Sequence, residues 1–400
     1  MKSSILQVMP GLNRARTTIL WAALFFAAFQ ARADTPTYYW DTNGSGDGPG
    51  NPPDGLWTAN SQVWTLDGGG YSPTFSYSSR ANIVFAATDG AYWSDTLDYT
   101  VTINGVAQVS DIVIKDGNCT LTNEFGNLEK DTPYISVLND GQTATIYSAI
   151  ASKANTANGI TKYAWGTLVL GAPNTYQGPT TIEGGTLRLA APQVLPHDSA
   201  LVLAGGDTRT NSGYSTTAPK FDTGGYSQTL GPLLLTGPYT NLFHTIDFGH
   251  GASALVFADS HTQNWGGILL HLANYKPGFD SLRFGTNSSG LTATQLKLIR
   301  FTDSLNVPGR IDASGFVTPV PPPTLSIVRT GSNGVTLTWS AIDGRSYNIQ
   351  SKANLKDAYW STNFIPDVIG TNNTASCTDI LGTNSHRHYR VLLRPGAIGN

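Results

Sequence analysis

Three groups of residues in this sequence have types and spacings that could do chemistry. Asp41, Asn43 and Asp47, in the stretch 41–54 (DTNGSGDGPGNPPD) that closes on Asp54, offer the hard oxygen atoms that Ca²⁺ takes. The stretch lacks the regular D-x-D-x-D spacing and a closing Glu, and its Gly, Pro and Asn are equally the residues of a plain turn. Four of the seven histidines, His244, His250, His261 and His271, crowd into one region. A metal needs its ligands to converge at about 2 Å. These four fall on several expected strands with no ligand spacing, so no metal is expected. His386 and His388 flank Arg387 on what should be an exposed strand edge. Trp57, Trp64, Tyr71 and Tyr77 form the third group, and their rings could stack on sugars. The same aromatics would also close the open end of a strand stack, which an unprotected edge requires, and on that ground the cap is the favoured reading.

Covalent and acid–base chemistry find less support. The chain has no G-x-S-x-G elbow, no H-E-x-x-H, no phosphate-binding loop and no dinucleotide fingerprint. Sugar-cleaving sites on stacked strands need paired carboxylates, or a carboxylate beside a basic residue, on neighbouring coils. Glu183, Asp198, Asp207 and Asp222 are the few acids available, and they are not placed to pair. No enzyme activity and no cofactor are therefore expected. Cys119 and Cys377 stand 258 residues apart and make neither a disulfide framework nor a metal cluster.

The elements that must position these groups are strands. Charged residues are only 13% of the chain, against about 25% in ordinary domains. Short β-branched runs are bounded throughout by Gly, Asn and Asp, and the best helical candidate, 292–300 (TATQLKLIR), is short. At the N-terminus, Lys2, Arg14 and Arg16 precede an apolar run at 19–29 that ends in Ala31-Arg32-Ala33. That is the pattern of a signal peptide, and the run is too short to span a bilayer, which takes about 20 residues. Removing 1–33 leaves 27 acidic against 20 basic residues, a balance that argues against a nucleic-acid partner. No membrane-spanning segment is expected after cleavage.

The most informative segment is 159–189, GITKYAWGTLVLGAPNTYQGPTTIEGGTLRL. Strand-like TLVL (167–170) recurs as TLRL (186–189) after 19 residues, and TTIE (180–183) is followed by ALVL (200–203) after 20. A period near 20 is a solenoid signature. Alternation puts Leu168, Leu170, Leu187 and Leu189 on one face, with Leu168 stacked on Leu187 and Leu170 on Leu189, while Arg188 points outward. Gly166, Gly171, Gly178, Gly184 and Gly185 are expected at sharp turns. Residues Gly159, Thr161, Lys162, Gly166, Thr167, Leu168, Leu170, Asn174, Thr175, Tyr176, Gly178, Thr180, Thr181, Ile182, Gly185, Thr186, Leu187 and Leu189 resemble the autotransporter-associated β-strand repeat, or passenger-associated transport repeat. Ala164 and Ala172 replace glycines of that pattern, and Ala164 suggests a locally different turn. The resemblance implies a right-handed parallel β-helix, export, and adhesive or surface-structural roles. From Pro319 only 82 residues remain, so the expectation is the repeat without the several-hundred-residue membrane barrel that accompanies it in self-exporting proteins.

Pro319 to Pro323 form a proline-rich linker, expected to be stiff. The short alternating strands beyond it, GVTLTW, SYNIQ and YRVLL, suit a small β-sandwich and resemble a compact fibronectin type III-like module with Trp339 and Tyr389 in its core. The expected fold class is all-β, a right-handed parallel β-helix (solenoid) followed by that sandwich. The expected organisation is 1–33 signal peptide, 34–98 N-terminal cap region, 99–318 parallel β-helix, 319–323 linker and 324–400 sandwich. At about 20 residues per coil and 4.8 Å per layer, the rod would be on the order of 50–65 Å long. The expected function is a secreted, non-catalytic structural or adhesive protein of the cell surface. Its expected partners are extracellular polysaccharide or other surface components, and a carbohydrate-binding or polysaccharide-degrading β-helix is the alternative.

Overall fold

The rod is built from strands that alternate an inward aliphatic with an outward polar residue. The computed structural model describes residues 35–394, apart from 45, 47, 51, 70–71, 77–79, 88–96, 211–212, 238–242, 305, 362–365 and 382–386. The signal-peptide reading of 1–33 and the candidates Asp47, Tyr71, Tyr77 and His386 lie outside the described residues. In Thr167–Leu170 and Thr186–Leu189 all four leucines are buried, and Leu168 pairs with Leu187 and Leu170 with Leu189 in parallel register. Arg188 is exposed, and its Nε meets Asp222 of the next coil at 2.8 Å.

The companion stack differs from expectation by one residue. Thr180 pairs with Leu201 and Ile182 with Leu203, a spacing of 21 rather than 20. Only that register turns Leu201 and Leu203 into the core, where both are fully buried. A slip of one residue would turn every side chain of the strand over.

Two long sheets carry the ladder. One has nine strands, eight of them parallel from Thr37–Trp40 to Leu233–Thr236, and is closed at its N-terminal edge by the antiparallel Trp64–Thr65. The other has ten, all parallel, from Gly55–Trp57 to Ile299–Phe301. A third face is formed by Ala107–Val109, Leu128–Lys130 and Ile150–Ser152, and again by Gln228–Leu230, Ala254–Phe257 and Ser281–Phe284. The parallel ladder thus begins at Thr37, inside the segment 34–98 expected to be a cap. Ten layers place the first and last strands about 43 Å apart, shorter than expected. The reason is coil length, which runs from 19 residues between Thr167 and Thr186 to 46 between Gly55 and Val101. The coil from Thr186 to Lys220 takes 34 and holds an extra hairpin, Gly206–Thr210 with Gly213–Thr217.

The residues of the repeat bind coil to coil. Between the two halves of the third face, Asn174 replaces a strand: its Oδ1 accepts from the Ile150 N–H at 2.8 Å and its Nδ2 donates to the Val194 carbonyl at 2.8 Å. The buried Tyr176 hydroxyl meets Thr180 Oγ1 at 2.7 Å, which meets Ser199 Oγ at 2.9 Å. Of the five glycines expected at sharp turns, Gly185 alone has a left-handed φ, 64°. Gly178 is needed for close approach instead, since a Cβ there would fall 2.2 Å from Gly159 N. The left-handed residue at the first turn of the repeat is Ala164, with φ 65°. Alanine therefore adopts the backbone that the repeat's usual glycine takes without strain, rather than opening a different turn.

The far end is closed by a short helix, Ala293–Leu298, within the expected 292–300. Thr292 caps it, with a reciprocal capping box to Gln295. The chain then returns to the ladder at Ile299. The C-terminal module packs two three-stranded antiparallel sheets around Leu337, Trp339, Tyr347 and Ile349. Its Ile342 and Leu393 rest against the rod core, and Arg345 Nη1 donates to the Asn306 carbonyl at 3.1 Å. Tyr389 lies at the edge of that module's core and is only half-buried.

Left-handed backbone costs a non-glycine residue about 1–2 kcal/mol, part of which the extra unfolded-state freedom of glycine cancels. Ala164→Gly should therefore raise stability by about 0.5–1 kcal/mol, read as a higher denaturant midpoint. An unchanged or lower midpoint would contradict the strain at this turn.

Candidate functional site

The aromatic candidates that the structure describes are inside the rod. Trp57 is 4% exposed and Trp64 fully buried, packed with Trp40 and Phe85 at ring-centroid distances of 5.0 to 6.5 Å. Trp40 Nε1 donates to the Pro53 carbonyl at 2.8 Å. These rings plug the first coil and present no open face, so stacking of sugars on Trp57 and Trp64 is corrected. The cause is the strand Trp64–Thr65, which folds back across the sheet edge and seals the indoles beneath it.

The loop 41–54 disperses its carboxylates. Asp41 is buried and Oδ1 accepts from the Asn43 N–H at 3.0 Å, closing a local turn; burial raises its pKa. Asp54 instead accepts from the Thr100 N–H at 2.6 Å. Among the described residues, no group of three or more His, Cys, Asp or Glu could hold a metal ion. The histidines diverge too. His244 is buried in the core, His261 Nδ1 meets Asp259 at 2.6 Å, and His271 stacks on Phe243 at 4.2 Å. Cys119 and Cys377 are both free thiols.

Sequence reasoning missed two arrangements. Asp222 and Asp247 occupy successive rungs of the ten-stranded sheet, the carboxylate pair that a sugar-cleaving site would need. Their oxygens are already engaged. Asp222 accepts from Arg188 Nε and the Gly224 N–H, both at 2.8 Å. Asp247 accepts from Lys220 Nζ at 2.9 Å, Gly249 N–H at 2.9 Å and Asn274 Nδ2 at 2.7 Å. Burial alone would raise the Asp247 pKa, but these hydrogen bonds and the Lys220 ammonium outweigh it and hold the carboxyl below its usual range. An acid catalyst needs the opposite, a carboxyl kept protonated. The repeated D-x-G spacing at 222–224 and 247–249 was the available signal.

The second missed arrangement is a threonine-rich outward face on the N-terminal coils of the same sheet. Thr100, Thr120 and Thr145 align on successive rungs, and Thr102 aligns with Thr122, whose hydroxyl reaches it at 3.2 Å. Tyr147 continues the second column and is 47% exposed. The T-x-T spacing in TVT, TLT and TAT was legible, but only the register lines it up.

The comparisons with known proteins agree with the coil architecture. Residues 160–189 match the family model Passenger-associated-transport-repeat, so the chain carries that repeat. Over 169 residues it is 30% identical to the Adhesin BmaC autotransporter of Brucella suis biovar 1 (strain 1330). That alignment covers 42% of this chain and 4% of the adhesin, so the chain matches only a small part of that relative's length. No solved structure matches. No helix among the described residues is long and apolar enough to cross a membrane.

Ionisable side chains occupy core positions, Lys130, Lys162 and His244 among them. Lys162, from the repeat, points inward between Ile135 and Ile182. Its Nζ donates to the carbonyls of Tyr163, Ala164 and Gly184 at 2.9, 2.7 and 3.1 Å, matching the three N–H bonds of an ammonium. Burial nevertheless drives its pKa down to about 7. His244 sits where a Cβ on Gly205 would come within 2.7 Å of its Nε2. Burial takes its pKa down to about 4, offset only in part by the Leu203 backbone.

Both folded values lie below the unfolded ones, so the unfolded chain binds the proton more tightly in each case. For His244, stability is lost as pH falls from 6.5 towards 4. His244→Leu should flatten that limb, and a variant as acid-sensitive as wild type would show that His244 does not set it. For Lys162, stability rises as pH climbs from 7 towards 10.5. Lys162→Met should remove part of the alkaline rise in melting temperature; an unchanged slope would mean that the ammonium persists in the core.

Proposed function

We propose that this chain is an exported, non-catalytic adhesive rod of the cell surface. The observation that carries the reading is the use made of the repeat. Lys162, Asn174, Tyr176 and Thr180 are spent on joining coils, so the repeat's polar chemistry builds length rather than a reaction centre. What the architecture offers a partner is a rod with a flat, hydroxyl-rich outer face. The similarity to a protein named as an adhesin supports the same reading. The C-terminal sandwich, which resembles a fibronectin type III-like module, serves as a docked end piece in this proposal.

A second reading, carbohydrate binding, is favoured by the exposed Tyr147 beside the threonine columns. For polysaccharide cleavage the available pair is Asp222 and Asp247, which are engaged in ion pairs with Arg188 and Lys220.

Fractionation and protease shaving of intact cells test the adhesive reading. Surface exposure or release into the medium is the expected result. Confinement to the periplasm would overturn adhesion and leave glycan binding or processing as the function.

A further inference from the structure

We propose that the C-terminal sandwich takes up an extended strand from a partner protein along the free edge of His388–Leu393, with a carboxylate of that strand meeting Arg329. The inference goes beyond the rod and its adhesive reading, and it does not depend on where the chain resides.

The sandwich is shut on one side and open on the other. One sheet runs in the order Leu325–Thr330, Gly334–Ser340, Thr374–Ile380, and the other Val368–Ile369, Ser346–Lys352, His388–Leu393. Thr374–Ile380 packs on Val368–Ile369, which shuts that side. On the opposite side both edge strands lack a second neighbour among the described residues. Burial follows this division. Leu337 and Ile349, on the middle strands, are fully buried. Ile327 lies opposite Leu337 and so faces the core, yet it is 50% exposed. Val391, opposite Ile349, and Tyr389 are only half-buried. The Arg394 N–H donates to the Ser346 carbonyl at 2.9 Å, so alternation turns the N–H and C=O of Tyr389 and Val391 towards the free edge. A strand added there would pair with those groups and lay every second side chain under Ile327.

Charge identifies the occupant. Laid antiparallel, the commoner pairing, the strand ends on the row of Arg329, Val335 and Asp379. That row stands over the start of His388–Leu393, because Asp379 accepts from the Tyr389 hydroxyl and from Arg387 Nη1. Asp379 is therefore engaged, whereas Arg329 is exposed and makes no ion pair among the described residues. Residues 324–400 carry seven Lys and Arg against four Asp and no Glu, so the field of the module also favours an acidic strand. The fitting segment has two apolar residues two apart and a carboxylate two further on. A second copy fits poorly. Laid antiparallel, its own free edges would bring Arg329 or the Arg394–Asp367 pair to this row, with no unengaged carboxylate. Residues 395–400, folded back through a two-residue turn, would reach only Val391 and leave Tyr389 and Ile327 open.

Fluorescence anisotropy of a labelled peptide titrated with the full chain tests the edge. The peptide reads Thr-Ile-Thr-Ile-Thr-Asp, labelled at its N-terminus and amidated at its C-terminus. A saturable rise is expected, weakened about tenfold when Asp is replaced by Lys, the scale of one close interfacial charge pair. Arg329→Glu should reverse that order and favour the Lys peptide. N-methylation of the two Ile amides should abolish binding, whereas N-methylation of the two later Thr amides should not. The peptide changes leave the protein untouched, so a loss there cannot come from misfolding. Arg329→Glu should keep the wild-type melting temperature, because Arg329 is exposed. The proposal is overturned if no saturable rise occurs, if methylated Ile amides are tolerated, or if the Asp and Lys peptides bind alike. An unchanged order in Arg329→Glu overturns it too. So does a dimer in sedimentation that the peptide dissociates, which assigns the edge to a second copy. Binding only by a chain cut after Arg394 overturns it by assigning the edge to residues 395–400.

Discussion

A single coil of this protein cannot bury its own apolar side, and everything else in the structure follows from that constraint. Most strands alternate an inward apolar residue with an outward polar one, so their core contacts come from the coils above and below. The same dependence leaves two open edges, and both are treated. At the first coil Trp64–Thr65 runs back antiparallel over Thr37–Trp40 and covers a plug of indoles. At the last, the capped helix Ala293–Leu298 sits over the ladder, with Gln295 Nε2 donating to the Ser260 and Gln263 carbonyls at 2.8 Å each. Aromatic residues thus gather at the ends because that is where the stack would otherwise stop at water.

Stacking also explains the polar residues inside. A turn between sheets leaves backbone carbonyls and amides that no strand partner can satisfy, and buried groups of that kind must be paired. Lys162 gathers three such carbonyls with one ammonium, and Asn174 supplies a donor and an acceptor where the third face lacks a strand. The desolvation that moves Lys162 and His244 so far from their usual pKa values accompanies this economy. It makes the rod's stability sensitive to pH at positions that touch no ligand.

The coil ladder was legible in the sequence because its signal is local. Leu168 to Leu187 is a 19-residue echo that alternation converts directly into a face. The companion pairing slipped by one, since Ala200 and Leu201 both begin plausible strands and only burial of Leu201 and Leu203 decides between them. The site was less legible. Trp57 and Trp64 were read as candidate stacking surfaces from their type and company, but composition does not say which side of a coil a tryptophan faces. Tyr147 carried the opposite error. It is one tyrosine among 17, and what singles it out is exposure beside threonines that become its neighbours only through the register.

The division between repeat and non-repeat positions has a functional consequence. Residues that every coil must share are consumed in joining coils, so they cannot also be tuned to a partner. Freedom remains at the outward, unshared positions, which in 160–189 include Val169, Gly171 and Arg188. On this chain those positions change character along the rod. They are mostly threonine from Thr100 to Thr145, with Glu124 bonded to Asn104, and become ion-paired where Arg188 meets Asp222 and Lys220 meets Asp247. The ionic half uses its charges on its own neighbours, rung to rung. The threonine-rich half leaves its hydroxyls and the Tyr147 ring towards solvent, and a rod whose interior is fixed by stacking holds them in place without ordering a loop.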